Sequence, residues 1–322
     1  MDLKVYSAPS NIALIKYMGK TNAMDNLPTN TSLSYTLEHL RTFITLEKND
    51  KDEWRVLQGD GLFPLVLSEK GKQKFINHLS FLREQAQVKE FFLIKSANNF
   101  PSDCGIASSS SSFAALTMAA MNEFQKLSNN LLDLSPSNLS ALSRRGSGSS
   151  CRSFFSPWCA WKTDRGFSLD FPYTHLHHIV ILVDIRKKEV SSSEAHLRVT
   201  TSPFFQERLT NVEKRFHDLS LALKNSNWLI LRKLCFDEFT EMHQLFESSM
   251  PPFSYRNEAT FKVIDQLLLL EKKNQEKAPI ITMDAGSNIH LLFKNEDLDL
   301  AKKYRSLFNG YDLLTSFQKE LK

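Results

Sequence analysis

Short apolar runs alternate with long amphipathic ones over most of this chain, and no other feature limits its fold as much. The runs at 42–46, 91–95 and 178–185 have strand length, and the last, H-I-V-I-L-V-D-I, has the near-continuous hydrophobicity of a buried strand. Within 109–127, Phe113, Leu116, Ala120, Phe124 and Leu127 recur at helical spacing. After Pro203, the residues Phe205, Leu209, Val212, Phe216, Leu219 and Leu223 step by 4, 3, 4, 3, 4, which is one face of an α-helix. Ser135-Pro136 combines an N-cap residue with a first-turn proline and opens another helix. Two more helices are expected over 228–246 and 258–272, then strands at 279–283 and 289–293 joined by D-A-G-S-N. Strands mixed with helices of this length specify an α+β or α/β protein. A chain of 322 residues can bury a large core and divide into two lobes. The boundary is expected after the buried strand. Residues 1–184 would form a mostly sheet N-terminal lobe, and 185–322 a C-terminal lobe with the long helices and the final strand pair.

Composition excludes several classes. No stretch approaches the roughly 18 to 20 apolar residues needed to span a bilayer, and the N-terminus, M-D-L-K-V-Y-S-A-P-S, lacks the apolar core of a secretory signal. Cys104, Cys151, Cys159 and Cys235 have no metal-finger or C-x-x-C spacing and read as reduced thiols of a cytoplasmic protein. The net charge of +4 is spread over interleaved acids and bases, without a basic stripe, which argues against a nucleic-acid partner. The histidines of T-H-L-H-H and His39 read as strand or core residues, because no third metal ligand accompanies them.

Four segments carry the chemistry. Residues 144–152, R-R-G-S-G-S-S-C-R, set glycines and serines between arginines. Such a run is either a flexible polar loop or a pocket for a multiply charged anion, with backbone N–H groups, hydroxyls and the forked donors of Arg145 and Arg152. Residues 8–20 hold Lys16, Tyr17 and Lys20 among apolar neighbours, and a lysine so placed is usually a solvated edge residue. Alternation sets Ile15 and Tyr17 on one strand face and Lys16 on the other. Residues 96–112, S-A-N-N-F-P-S-D-C-G-I-A-S-S-S-S-S, lead from a strand into a serine-rich helix start, where free N–H groups favour phosphate. Five serines exceed what a cap needs. In T-M-D-A-G-S-N at 282–288, Asp284 ends a strand before a glycine turn, as a turn residue or as a rigidly held base.

Taken together, and in the same order, these segments resemble the GHMP small-molecule kinase superfamily and, within it, the mevalonate diphosphate decarboxylase family. The matching motifs are N-I-A-L-I-K-Y-M-G-K at 11–20, L-P-T-N-T-S-L-S at 27–34, N-N-F-P-S-D-C-G-I-A-S-S at 98–109, R-R-G-S-G-S-S-C-R-S at 144–153 and D-A-G-S-N at 284–288. The resemblance implies a two-lobed α+β fold, a ribosomal S5-like first sheet carrying the ATP-phosphate loop, and a site in the cleft between lobes. It implies ATP-dependent decarboxylation of 5-diphosphomevalonate to isopentenyl diphosphate in a homodimer. Mg²⁺ would be held mainly by ATP phosphates rather than by protein ligands. By position, Asp284, Lys16 and Arg152 match the catalytic group. Tyr17, Met18, Gly19, Lys20, Ser147, Gly148, Ser149, Ser150, Cys151 and Ser191 match substrate contacts. Ser96, Asn98, Gly105, Ala107, Ser108 and Ser109 match the ATP site.

The chain departs from the family pattern at four places. Met18 stands for a tryptophan, Ser287 for a proline, and Asp103 for a small residue in the phosphate loop. Gly71 falls where an arginine commonly meets the substrate diphosphate, so Lys72 or Lys70 is expected to substitute. These departures leave open a monophosphate substrate or a kinase that stops at phosphorylation. A nucleotide-binding protein without turnover is the alternative of another class.

Overall fold

The structure, a computed structural model, describes residues 4–22, 24–101, 108–184, 186 and 188–317. Its first sheet is organised by one long strand. Residues Tyr6–Ile15 form β1, Lys20–Asn22 and Leu27–Pro28 form the small pair β2 and β3, and Ser32–Asn49 runs as β4. β1 lines one edge of β4 antiparallel. On the other edge, β7 (Phe91–Asn98) takes residues 42–49 and β8 (Trp158–Trp161) takes residues 32–35. β5 (Glu53–Val56) and β6 (Phe63–Pro64) extend the sheet beside β7, and β9 (Gly166–Ser168) beside β8. The apolar run expected at 42–46 is thus the middle of a strand more than three times as long.

Three helices cover one face of this sheet: α1 (Glu69–Ala86), α2 (Ser108–Gln125) and α3 (Pro136–Arg144). Phe113, Leu116, Ala120 and Phe124 of α2 pack with Phe75, Leu79 and Leu82 of α1 and with Ile44 and Ile94 of the sheet. Each large apolar side chain buried there stabilises the fold by about 1.5–3 kcal/mol. Ser135 caps α3 as its sequence specifies, accepting from the Asn138 N–H with Pro136 in the first turn.

The second sheet consists of β10 (Leu176–Leu182), β11 (Ile280–Thr282), β12 (Ile289–Lys294) and β13 (Asp312–Thr315), in the order β11-β12-β10-β13 and antiparallel throughout. Its helices are α4 (Ser192–Arg198), α5 (Phe205–Lys224), α6 (Trp228–Glu247), α7 (Glu258–Asn274) and α8 (Leu298–Leu307). One expectation needs correcting here. The buried strand placed at the end of the first lobe is a central strand of the second sheet, so the two sheets divide the chain before Leu176 and not at 184. A short apolar run shows that a strand is buried but not which sheet covers it.

Alternation sorts the second sheet's side chains. Ile179, Ile181, Leu291 and Phe293 face α7 and α8. Val180, Leu182, Ile280 and Leu292 join a core shared with Ile12 and Leu14 of β1 and with Val212, Leu219, Leu231 and Cys235 of α5 and α6. This shared core presses the end of β1 against the second lobe. Among the described residues, no helix is long and apolar enough to cross a membrane.

Candidate active site

Lys16 follows directly on β1 and is only 2% exposed. The fold fixes it from three sides. Its N–H donates to Glu238 on α6 (2.9 Å), its C=O accepts from Asn30 Nδ2 (2.9 Å), and its ammonium donates to Ala13 O (2.6 Å) and to Asp284 Oδ1 (2.8 Å). Glu238 is itself fully buried and paired with Arg208 and Arg215. Lys16 is therefore not a solvated edge lysine. A buried ammonium persists only with a counter-charge and satisfied donors, and Asp284 supplies the charge.

Asp284 sits in the turn after β11 with a fifth of its side chain exposed. His243 on α6 donates from Nε2 to the Asp284 carbonyl (3.2 Å), so its neutral ring carries the proton on that nitrogen. Burial raises the Asp284 pKa, but Lys16, then His290 and Arg152, outweigh it and hold the carboxyl below its usual range. The aspartate is thus ionised at neutral pH and open on one side. It has the state and the access that a base for a bound alcohol requires.

Arg152 lies 3% exposed in the short helical turn Gly148–Phe154. Its guanidinium donates to Asn11 Oδ1 (3.2 and 3.3 Å) and Ser32 Oγ (2.8 Å) and lies 5.9 Å from the Trp161 ring. Among the described residues no carboxylate pairs with it. A buried guanidinium held only by neutral acceptors is prepared for an anion brought by a ligand. Asn11 also donates to Ser153 Oγ (2.8 Å) and Ser149 O (3.3 Å), which ties the arginine–serine loop to β1.

The segment after Lys16 packs beside Trp161, the ring that also meets Arg152. Tyr17 is wedged between Trp161 (4.5 Å) and His196 (4.2 Å). Gly148 backs onto it, where a Cβ would lie 2.7 Å from the Tyr17 ring, so only glycine fits. Gly19 adopts φ +95°, and its N–H donates to His196 Nδ1 (3.0 Å). Lys20 donates to Asn26 Oδ1 (2.6 Å). Lys74 on α1 donates to Ser193 Oγ on α4 (3.2 Å), bridging the lobes, and its charge is felt at Lys20. Burial, then that charge, pushes Lys20 down to about 8.

Residues 8–170 match a family described as the diphosphomevalonate decarboxylase-like N-terminal domain, and residues 178–321 match the mevalonate 5-diphosphate decarboxylase C-terminal domain. The chain belongs to the diphosphomevalonate decarboxylase family. It is 32% identical over 326 residues to the diphosphomevalonate decarboxylase of Saccharomyces cerevisiae, covering 93% of this chain and 80% of that one. It superposes on a mevalonate diphosphate decarboxylase from Legionella pneumophila with a TM-score of 0.90 and 42% identity, over 97% of this chain and all (100%) of that one. The enzyme from Enterococcus faecalis gives a TM-score of 0.82 at 30% identity, over 97% and 96% of the two chains.

Within this family frame, some expected site residues take other parts. Lys72 pairs with Glu69 (2.7 Å) one turn back along α1. Two residues further along an α-helix is about 200° around it, so it is Lys74 that meets Ser193 on α4. Met18 packs into an apolar cluster with Val190, Phe205 and Met242. Cys151 is fully buried beside Tyr17 and Trp161, where burial pushes its thiol up, and Ser150 Oγ donates to Ser147 O (2.6 Å). Ser191 caps α4 by accepting from Glu194 N–H (3.2 Å). Ser96 accepts from the Trp54 indole (2.9 Å), and Asn98 Oδ1 accepts from Thr42 (2.7 Å). Both are fully buried and brace the strand that leads to the phosphate loop.

Ser147 Oγ lies 3.5 Å from Ser149 Oγ and 3.4 Å from Ser109 Oγ at the start of α2, where Ser108 also sits. The excess serines are explained too: Ser111 bonds Thr42 (2.7 Å) and locks the helix start to β4. Asp103, Cys104, Gly105 and Ala107 lie outside the described residues. Sequence reasoning passed over Asn11, Asn30, Ser32, Lys74 and His196. The first three lie inside the quoted motifs, but their role is to orient Lys16 and Arg152 across the fold, which spacing does not reveal.

One consequence concerns pH. Lys20 is charged below about pH 8 and neutral above it. If it grips an anionic substrate, kcat/KM falls as pH rises through that value. Lys20→Arg keeps its charge throughout this range and should flatten that limb. A limb that stays in place in the variant assigns it to another group.

Proposed function

We propose that this chain uses ATP to phosphorylate the tertiary hydroxyl of 5-diphosphomevalonate and then eliminates phosphate and CO2, giving isopentenyl diphosphate. The observation that carries this reading is the Lys16–Asp284 pair at the cleft, within electrostatic reach of the buried, carboxylate-free Arg152. A related solved structure, described as MDDEF in complex with MVAPP, AMPPCP and magnesium, is 30% identical with a TM-score of 0.83 and supports the same substrate pair.

Each residue answers one chemical demand. A tertiary alcohol is a weak nucleophile, so ionised Asp284 orients it and takes its proton. Lys16 keeps Asp284 ionised until then. Arg152 offers its guanidinium to the substrate carboxylate and holds the C–C bond in line for elimination. Lys20 and Lys74 face the diphosphate. Ser108, Ser109 and Ser147 supply hydroxyls to the ATP phosphates, and such hard oxygen donors also suit Mg²⁺. Magnesium bound to the phosphates disperses the charge of the transferring phosphoryl group. After phosphate leaves, the carboxylate of Asp284 faces the positive charge that grows on the carbinol carbon.

CO2 release should be measured with the diphosphate and the monophosphate of mevalonate, each with ATP. Turnover of the diphosphate with release of CO2 is expected. Preference for the monophosphate, or phosphorylation without CO2, overturns the reading. In the same assay Lys74→Ala should raise KM for the diphosphate about tenfold or more, and Lys72→Ala should leave it unchanged.

A further inference from the structure

Three histidines outside the reaction as described form a continuous hydrogen-bonded row. His39 sits where β4 bulges: Pro9 pairs with Arg41 but Ser10 with Leu37, so Glu38, His39 and Leu40 leave the ladder with β1. From this bulge His39 Nε2 meets His178 Nδ1 on β10 at 3.1 Å, and His178 Nε2 meets His290 Nδ1 on β12 at 3.0 Å. His39 is half-buried, whereas His178 and His290 are 0% and 1% exposed. Both nitrogens of the middle ring are used, so the row ends at His39 Nδ1 and His290 Nε2. The latter is buried and bonds no described protein group, and the same holds for Oγ1 of Thr282, the cross-strand partner of His290. The inner end lies near the Lys16–Asp284 pair: Thr282, the cross-strand partner of His290, precedes Asp284 by two residues, and the charges of Asp284 and Lys16 both act on the His290 ring.

We propose that His39, His178 and His290 form a proton relay that carries the hydroxyl proton from Asp284 towards the protein surface between phosphoryl transfer and elimination. This rests on Asp284 being the base. The two chemical steps make opposite demands on that residue. It must take a proton in the first and be a carboxylate again in the second, when positive charge grows at carbon. A protonated Asp284 would forfeit that stabilisation.

The row suits such a transfer. Burial lowers the pKa of His39 and His290 to about 4 and holds that of His178 well below the usual imidazole value, so all three rings are neutral. A neutral imidazole carries one N–H and one lone pair, and a chain of them passes a proton by switching tautomers. The Asp284 proton, through a water held by Thr282 and His290, binds His290 Nε2. The His290 Nδ1 proton moves to His178 Nε2, the His178 Nδ1 proton to His39 Nε2, and the His39 Nδ1 proton to solvent. When trianionic phosphate has been expelled it takes up one proton, and the same shift run inwards resets every ring. One proton leaves and one returns per turnover, as the overall reaction requires.

Single-turnover experiments on the full enzyme, with labelled ATP and substrate, separate the two steps. In His178→Phe, phosphoryl transfer should stay within about twofold of wild type. CO2 release should slow by about 10- to 100-fold, with the phosphorylated substrate accumulating. Unchanged CO2 release, or both steps slowing together, overturns the relay. Should that variant not fold, His39→Gln at the half-buried end decides, with the same split expected and unchanged CO2 release again overturning it. Asp284→Asn run in parallel tells the two readings apart. If it transfers phosphate normally, the base assignment falls. If it loses both steps while the histidine variants lose neither, only the relay falls.

Discussion

Asp284→Asn lowers CO2 release by roughly 10²- to 10⁴-fold, the range expected for loss of a positioned general base. ATP binding is largely kept, because the change removes none of the hydroxyls assigned to the ATP phosphates. Asparagine keeps the size of the side chain and an acceptor for the Lys16 ammonium, but it can neither take the hydroxyl proton nor oppose a developing positive charge. Near-normal turnover by the variant removes the base assignment. The pH dependence follows from the depressed carboxyl. A carboxylate whose folded pKa lies below its unfolded value of about 3.9 stabilises the fold above that pH, and this contribution is lost as pH falls through the folded value. Activity that depends on ionised Asp284 should therefore persist down into the ordinary carboxylate range. A wild-type acid limb near neutrality would have to come from another group.

The second large effect is at Arg152. Arg152→Lys keeps the charge but loses the fork that reaches Asn11 and Ser32 together. Turnover should fall by about 10²- to 10³-fold, the scale seen when one preorganised donor to a reacting group is removed. Arg152→Ala should fall at least as far. Each buried acceptor left without a donor costs about 1–3 kcal/mol, so a lower melting temperature accompanies the loss. The deciding comparison is activity per folded molecule. If activity falls only in proportion to the folded fraction, Arg152 is a structural residue and the carboxylate grip is wrong.

Much of the fold is legible in the sequence because its elements are written in local periodicity. The six apolar residues from Phe205 to Leu223 mark α5, and Ser135-Pro136 marks the start of α3 within one residue. Where burial is slight the pattern fades. α8 buries only Ala301 and Tyr304, and β13 only Leu314, and both lie beyond the last expected strand. β4 was seen in part, because residues 32–41 interleave buried serines and a threonine with Leu33, Tyr35 and Leu37 and then run into Glu38 and Arg41, which are not buried.

The site divides along the same line. Its chemical inventory is readable in the motifs, since glycines, serines, arginines and an aspartate at a turn are local demands of phosphate and proton chemistry. What the motifs leave open is mutual placement. Lys16 reads as an edge lysine by itself and becomes half of a buried ion pair only when a turn 268 residues away closes on it. Lys72 and Lys74 are equivalent in composition and differ only in which side of α1 meets α4.

By itself, then, the sequence determined the helices with a deep apolar face, the serine- and glycine-rich motifs and the family. All three depend on residues close together along the chain, where geometry follows from backbone periodicity. Only the tertiary structure decided which lobe holds the strand at 176–182, which lysine of α1 reaches α4, and that three histidines from two sheets stand in a row near Asp284. Those outcomes come from packing between distant segments, where the energy lies in shared burial and paired charge, and local spacing carries no record of the partner.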